Sequence, residues 1–329
     1  MRILITGGAG FIGSHIVESL VRQGHDVVVY DNFSTGSRAN LTGVTTACEV
    51  IEGDIRDLDA LAKAAKGAEI ISHQAAQLEI FKSSDDPKFD LDINTIGTLN
   101  VLAVGLQCGA HKVVNASSAC IYGQVEGLTP ESCYPRPNWA YGVSKLAAEK
   151  YADIYNDYHR LPIVHLRYGI TYGEREWYRR VLTIFIKRAI AGSAPVIFGD
   201  GQQIRDFVYV GDLVRLHNEC LHNERANGQA FNAGTGRPTT IKELARQVVA
   251  ASGKTLVPIH EETPEGAFSA LVPDKRRNAQ ELKTMLLDVR KAKEILGWEP
   301  TFSLQEGVRR EYVWAQDNLT RWQPIRYTE

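Results

Sequence analysis

A tyrosine and a lysine stand four residues apart in Tyr141-Gly142-Val143-Ser144-Lys145. At that spacing they share one face of a helix. A free phenol has a pKa of about 10 and is a poor base at neutral pH. A nearby ammonium favours the phenolate and lowers that value. The pair is therefore suited to taking a proton from an alcohol and giving it back. Holding the phenol half ionised at pH 7 needs a shift of about three units, or roughly 4 kcal/mol. The same spacing also occurs as a plain solvated pair on helices. The chemical reading therefore needs a hydride acceptor, a second hydroxyl and a pocket elsewhere in the chain.

The elements that would position those parts follow in order. Arg2 to Thr6 is a short apolar run that ends in Gly7-Gly8-Ala9-Gly10-Phe11-Ile12-Gly13. A helical pattern follows through Ile16, Val17, Leu20 and Val21 and closes near Gly24. Strand, glycine turn and helix form the context of a dinucleotide site. Gly7 allows the tight turn, Gly10 the approach of a pyrophosphate, and Gly13 close helix–strand packing. The helix start offers unpaired N–H groups to phosphate. The next strand, Asp26 to Tyr30, ends at Asp31. A carboxylate there accepts both ribose hydroxyls and repels a 2′-phosphate, which favours NAD over NADP. Arg38 is the nearby residue suited to a 2′-phosphate instead.

A third strand, Glu49 to Glu52, leads to Gly53-Asp54-Ile55, with Asp54 placed to face the adenine. A fourth, Glu69 to His73, leads into Gln74-Ala75-Ala76-Gln77, whose small residues let the chain pass close to a cofactor. Leu99 to Val104 belongs to a helix, and Lys112 to Asn115 to a fifth strand. That strand ends in Ala116-Ser117-Ser118-Ala119-Cys120-Ile121-Tyr122-Gly123, where hydroxyls point into a crevice. Pro135 and Pro137 force an extended approach to the helix of Tyr141. Strands alternating with helices give a doubly wound parallel sheet, with ligands at the carboxyl ends of its strands.

Composition sets the bounds. The chain has 329 residues, 44% hydrophobic and 23% charged, enough for a full core and two lobes. Its formal net charge of -2 gives no reason to expect a nucleic-acid or membrane-surface partner. No apolar stretch has the length of a membrane span. Met1 to Thr6 is cut short by glycine and reads as a buried strand rather than an export signal. Cys48, Cys108, Cys120, Cys133 and Cys220 are scattered, odd in number and without C-x-x-C spacing. Disulfides and zinc are both disfavoured, and a reducing cytoplasm is expected.

The ordered set resembles the extended short-chain dehydrogenase/reductase family, in its nucleotide-sugar epimerase and dehydratase branch. The matching pieces are Gly7 to Gly13, Asp31 to Gly36, Gly53-Asp54, His73 to Ala76, Ser117 to Gly123 and Tyr141 to Lys145. Leu166-Arg167-Tyr168, Tyr172-Gly173, Arg205 to Val210 and Leu296-Gly297-Trp298 extend the match over nearly the whole chain.

The resemblance implies a Rossmann-like NAD-binding domain over residues 1–168, with 206–234 returning to it. It implies a smaller α/β C-terminal lobe over 169–329 for a nucleotide-sugar. NAD would lie against Gly7, Gly10, Phe11, Ile12, Gly13, Asp31, Asn32, Ser34, Thr35, Gly36, Asp54 and Ile55. Its nicotinamide half would meet Ala75, Ala76, Gln77, Asn94, Ser117, Tyr141, Lys145 and Tyr168. Tyr141 would be general base and acid, Lys145 would lower its pKa and hold the nicotinamide ribose, and Ser118 would hydrogen-bond the reacting oxygen. The substrate would meet Glu79, Ser118, Ala119, Cys120, Tyr141, Ile170, Thr171, Arg175, Ile197, Phe198, Arg205 and Arg277. No metal is expected, and a homodimer is.

Positions 119 and 120 separate the branches. Sugar 4,6-dehydratases resembling this chain carry an Asp-Glu pair just after the hydroxyl residue, since eliminating water needs an extra acid and base. Ala119 and Cys120 supply neither; a free thiol has a pKa of about 8.5. Oxidation of an alcohol and reduction back remains, so the expected activity is a nucleotide-sugar 4-epimerase acting through a 4-keto intermediate. A dehydratase or reductase is the alternative, and a non-catalytic NAD-binding regulatory protein is an alternative of another class. A sensor would not need Ser118, Tyr141 and Lys145 together.

The second half departs from the family pattern. Ile170 replaces an asparagine that contacts the nucleotide-sugar, with Thr171 as partial substitute. Glu174-Arg175-Glu176-Trp177-Tyr178-Arg179-Arg180 follows Gly173, and its arginines suit a phosphate or a sugar carboxylate as well as solvent. Arg205 suits a diphosphate by its fork geometry. Asp206 beside it reads as a partner for an arginine. Arg277, in Lys275-Arg276-Arg277, is a second diphosphate candidate. Glu79 stands where a small residue is usual, either at the sugar or in solvent.

Overall fold

Apolar runs of four to seven residues become the strands of one parallel sheet. The computed structural model describes residues 1–322. Across the sheet the order is Gln229–Ala233, Ile163–Tyr168, Lys112–Ser118, Ile70–His73, Arg2–Thr6, Asp26–Asp31 and Cys48–Glu52. Every neighbouring pair is parallel. The order reverses between Arg2–Thr6 and Ile70–His73, which opens a crevice at their carboxyl ends.

Side chains alternate across the pleat and fill two cores. Ile3, Ile5, Val27, Val29 and Val164 pack with Ile16, Val17 and Leu20 of the Phe11–Arg22 helix and Leu216 of the Val210–His222 helix. On the other face Leu4, Val28, Ile71, Val113 and Ile163 pack with Val101 and Leu102 of the Thr98–Cys108 helix and Ala152 of the Ala140–His159 helix. Strands buried on both faces read as continuous apolar runs, which is why they stand out in the sequence.

The fifth strand runs three residues beyond Asn115. Pairing of Ser117 with Arg167 and of Ser118 with Tyr168 carries it to Ser118. Both serines therefore sit in the strand, not in a turn after it. The helix preceding Thr98–Cys108 widens into a π-turn over Asp92–Gly97. This turns Asn94 inward, where Oδ1 accepts from Gln77 N at 2.9 Å and Nδ2 donates to Asp90 Oδ1 at 3.0 Å.

Three small sheets build the second lobe. Ile170–Tyr172 pairs with Phe207–Tyr209, and Val196–Phe198 with Ile259–Glu261. Ile204–Arg205 lies between Thr239–Thr240 and Thr284–Met285. Within 206–234, the Val210–His222 helix packs on Phe11–Arg22 and Gln229–Ala233 completes the large sheet, whereas Phe207–Tyr209 stays with the small one. Among the described residues Asp206 pairs with no arginine. Its carboxylate accepts from Thr235 N at 2.7 Å, Thr235 Oγ1 at 2.6 Å, Gly236 N at 3.0 Å and Leu287 N at 3.1 Å. Three backbone N–H groups, that of Leu287 buried, find their acceptor there, and that need outweighs the sequence proximity of Arg205.

Candidate active site

The crevice holds a cavity of about 730 Å³ that runs from the glycine turn to the small sheets. Its nucleotide end is made mostly by backbone. Gly7 has φ +68°, and a Cβ on Gly13 would stand 2.1 Å from Gly7 O. No residue with a side chain fits Gly13 without moving the turn. Gly10 caps the Phe11–Arg22 helix without a side-chain hydrogen bond, so the first-turn N–H groups stay available to an anion. Asp31 accepts from Ala9 N at 2.9 Å and Phe33 N at 2.8 Å, which fixes its carboxylate at the rim. Burial raises its pKa, and the N–H groups of Phe33, Ala9 and Gly10 pull it back. An anion-ready helix start, a turn closed to side chains and an oriented carboxylate fit a dinucleotide.

Gly7, Gly10, Phe11, Ile12, Gly13, Asp31, Asn32, Ser34, Thr35, Asp54 and Ile55 all line this end. Gly36 does not; it backs the carboxylate of Asp31, where a Cβ would approach to 2.8 Å. Asp54 is engaged by Arg56, whose Nε and Nη2 donate at 2.9 Å, and by Asn32 Nδ2 at 2.8 Å. Arg38 lies at the surface, paired with Glu52 at 2.8 Å and stacked over Phe33.

At the middle of the cavity Ser117, Ser118, Tyr141, Lys145 and Tyr168 meet Ala75, Ala76 and Gln77. The Ala140–His159 helix is pinned to the sheet by a buried pair. Arg167 Nε and Nη2 reach the two oxygens of Glu149 at 3.0 and 2.8 Å. Tyr168 donates to Gln74 Oε1 at 2.8 Å. Asn94 is not on the cavity wall; it holds the Gln77 loop from behind.

The charges here differ from the sequence expectation in one respect. Burial raises the pKa of the Tyr141 phenol, with Cys120 adding to the rise and a hydrogen bond with Ser118 pulling it back. Burial also lowers Lys145 to about 8, against the pull of Glu149 and Asp90. Desolvation thus weighs more at both groups than the neighbours that oppose it, because both charged forms lose water. Ser118 Oγ accepts from Cys120 N at 3.1 Å, which leaves its own proton for an oxygen in the cavity. His73 lies beside this group, its ring between Thr6 Oγ1 at 2.7 Å and Thr98 Oγ1 at 3.0 Å.

The far end is made by side chains from distant segments. Glu79, Cys120, Ile170, Thr171, Phe198, Arg205 and Arg277 line it, with Phe81, Trp177, Arg179, Arg180, Lys275 and Glu281. Ala119 and Ile197 do not: Ala119 packs on Leu282 and Leu287 in a small core, and Ile197 points into the main one. Arg175 does line the cavity. It crosses to the glycine-turn helix, with Nη1 3.2 Å from Ser14 Oγ and Nη2 2.5 Å from Glu18 Oε1.

Glu79 is half-buried rather than in solvent. Burial raises its pKa, and the cations of Arg179 and Lys275 pull it back. Burial lowers Lys275 to about 8, helped by the charge of Arg180. Arg205 and Arg277 share Glu281, at 3.7 and 3.1 Å. Lys275 and Glu281 carry no sequence signal of their place here, because nothing in an apparently solvated charge run shows that its first lysine folds inward.

Comparison with known proteins places this geometry. Residues 3–234 match the family described as NAD dependent epimerase/dehydratase. The chain is 37% identical over 322 residues to a putative UDP-glucose 4-epimerase of Methanocaldococcus jannaschii, covering 96% of this chain and 99% of that one. It superposes on the UDP-glucose 4-epimerase of Thermotoga maritima, solved with UDP-glucose, with a TM-score of 0.88 at 34% identity, covering 97% and 100% of the two chains. The UDP-glucose 4-epimerase of Thermus thermophilus, solved with NAD, gives a TM-score of 0.85 at 35% identity, covering 95% and 98%. Among the described residues no helix is long and apolar enough to cross a membrane. The chain belongs to the NAD dependent epimerase/dehydratase family.

Proposed function

We propose that the protein is an NAD-dependent nucleotide-sugar 4-epimerase with a UDP-sugar as substrate. The observation that carries the reading is the meeting of Ser118, Tyr141 and Lys145 at the carboxyl end of the sheet, with no acidic residue at positions 119 and 120. The first set moves one proton; an elimination would need more groups.

NAD, when bound, supplies the hydride acceptor and, in its oxidised form, a positive charge beside the phenol. The glycine turn, the helix start and Asp31 hold its phosphate and ribose end. Lys145 holds the nicotinamide ribose. Tyr141 takes the proton of the sugar C4 hydroxyl, and Ser118 donates to the same oxygen. Arg205 and Arg277 hold the diphosphate, and Phe198 the base. The resulting 4-keto sugar turns within the wide far end of the cavity. On reduction from the other face, Tyr141 returns the proton.

A dehydratase or reductase is the second reading, and Glu79 favours it. A half-buried carboxyl with a raised pKa lines the same cavity and is a potential extra acid. Incubation with UDP-glucose, UDP-galactose, their N-acetyl forms and UDP-glucuronate, followed by proton NMR, separates the two. Inversion at C4 without net NADH is the expected result. Loss of water, or stoichiometric NADH, would transfer the assignment to the second reading.

A further inference from the structure

Two glutamates that the mechanism does not use lie against each other behind the far end of the cavity. Glu176, in the segment after Gly173, is 2% exposed, and Glu311, on the Leu304–Asn318 helix, is 0% exposed. Glu176 Oε1 faces Arg180 Nε at 3.1 Å. Glu176 Oε2 and both oxygens of Glu311 lack a well-formed hydrogen bond from another group among the described residues, and besides Glu176 the donor near Glu311 is the backbone N–H of Gly173. Buried carboxyl oxygens left without a donor are costly, and two adjacent carboxylates repel. One shared proton resolves both problems, since a carboxyl then donates to a carboxylate. Burial raises both groups, Glu176 to about 7 and Glu311 well above the carboxylate range.

The pair has a partner in the cavity. Arg180 lines it, and its Nη1 donates to Thr171 O at 3.1 Å. Its charge is felt at Tyr141, Cys120 and Lys275, so it stands toward the reacting end. The guanidinium is gripped on its Nε edge and by one Nη1 contact, which leaves its other Nη2 edge for the cavity.

We propose that Glu176 and Glu311 form a proton-sharing carboxyl pair that positions Arg180 against the sugar of the bound nucleotide-sugar. Glu176 and Glu311 are positioning residues in this arrangement, and Arg180 is the group that touches substrate. The inference rests on the nucleotide-sugar reading for the identity of the ligand, but not for the shared proton. With one proton the pair carries one negative charge, which balances Arg180. Loss of that proton at higher pH adds a second negative charge next to an anionic ligand. Other ionisable groups facing the pair are Glu174, hydrogen-bonded by Tyr209 at 2.7 Å, with Tyr172 and Asp212 beyond it. Arg310, on the helix of Glu311, pairs with Glu306 instead.

The test has two independent arms on the full chain. In the first, unfolding of wild type and Glu311→Gln is followed by denaturant from pH 5 to 8.5. A carboxyl raised in the folded state makes the native protein bind more protons than the unfolded chain, so wild-type stability falls as pH rises from about 4.5 through about 7. Glu311→Gln should lose this fall and be the more stable protein at pH 8. A wild-type fall that persists unchanged in Glu311→Gln would overturn the shared proton.

In the second arm, UDP-glucose and UDP-glucuronate are titrated calorimetrically, and KM and kcat are measured where turnover occurs. Glu176→Gln should weaken binding or raise KM about tenfold, the scale of one charge-assisted hydrogen bond, while kcat changes little. In wild type, binding should weaken on the alkaline side, where the shared proton is lost, and Glu311→Gln should flatten that profile. Lys275 titrates nearby at about 8, so Lys275→Met serves as control. A profile abolished by Lys275→Met and untouched by Glu311→Gln would overturn the positioning role. Failure of wild type to bind either UDP-sugar would overturn the nucleotide-sugar reading and the role of Arg180, while the first arm still decides the shared proton.

Discussion

The two ends of the cavity are built by opposite means. The nucleotide end is backbone geometry: a turn closed to side chains at Gly13, a free helix start at Gly10, and one carboxylate held by two N–H groups. The far end is charge: Arg179, Arg180, Arg205, Lys275 and Arg277 interleaved with Glu79 and Glu281 from separate segments, with Glu176 behind them. The ends also bury opposite kinds of neutral acid–base group. Near the nucleotide end His73 is held unprotonated, lowered to about 3 first by burial and then by Lys145. Behind the far end Glu176 is raised to about 7. The first resists acid poorly and the second resists base poorly. A chemically constant ligand part can be held by fixed backbone, whereas a variable one is read by side chains.

The junction between the two ends should be the most sensitive point. Tyr141→Phe removes the proposed proton carrier and should cut turnover by about 10² to 10⁴ while leaving the fold and NAD retention intact. Turnover at the wild-type rate would end the proposed mechanism. Next in size is the buried pair that fixes the helix of Tyr141. Glu149→Ala strands Arg167 and should destabilise the protein by about 3–5 kcal/mol in chemical denaturation. A loss under about 1 kcal/mol would show the pair to be solvated.

The acid contrast gives a third test. His73 is lowered in the folded state, so the unfolded chain binds more protons below its ordinary pKa of about 6.5. Stability should therefore be full above that pH and fall as pH drops toward about 3. The fall should be shallower in His73→Gln, read by urea unfolding at a series of pH values. An identical slope would remove His73 from the account. The smallest effect is expected at Arg38, the residue that the sequence offered to a 2′-phosphate. It is exposed and paired with Glu52, so Arg38→Ala should change stability by less than about 1 kcal/mol and leave the affinities for NAD and NADP as they were.

The sequence alone determined the glycine turn, the carboxylate after the second strand and the parallel sheet that carries them. Gly7 to Gly13, Asp31 and the apolar strands are local signals, since turn geometry and two-sided burial impose residue types at short spacing. It also placed Tyr141 and Lys145 on one helix face and Ser117 and Ser118 at a strand end. Charge is not a local property, and there the tertiary structure decided. It turned Arg175 back to Ser14 and Glu18, gave Asp206 to three backbone N–H groups, and moved Ala119 and Ile197 off the cavity. It brought Glu176 and Glu311 together from opposite ends of the second half of the chain. It also set the balance at Tyr141, where burial outweighs the hydrogen bond with Ser118 and the charge of Arg180. Desolvation and long-range pairing depend on what the fold brings near, and spacing along the chain carries no record of that.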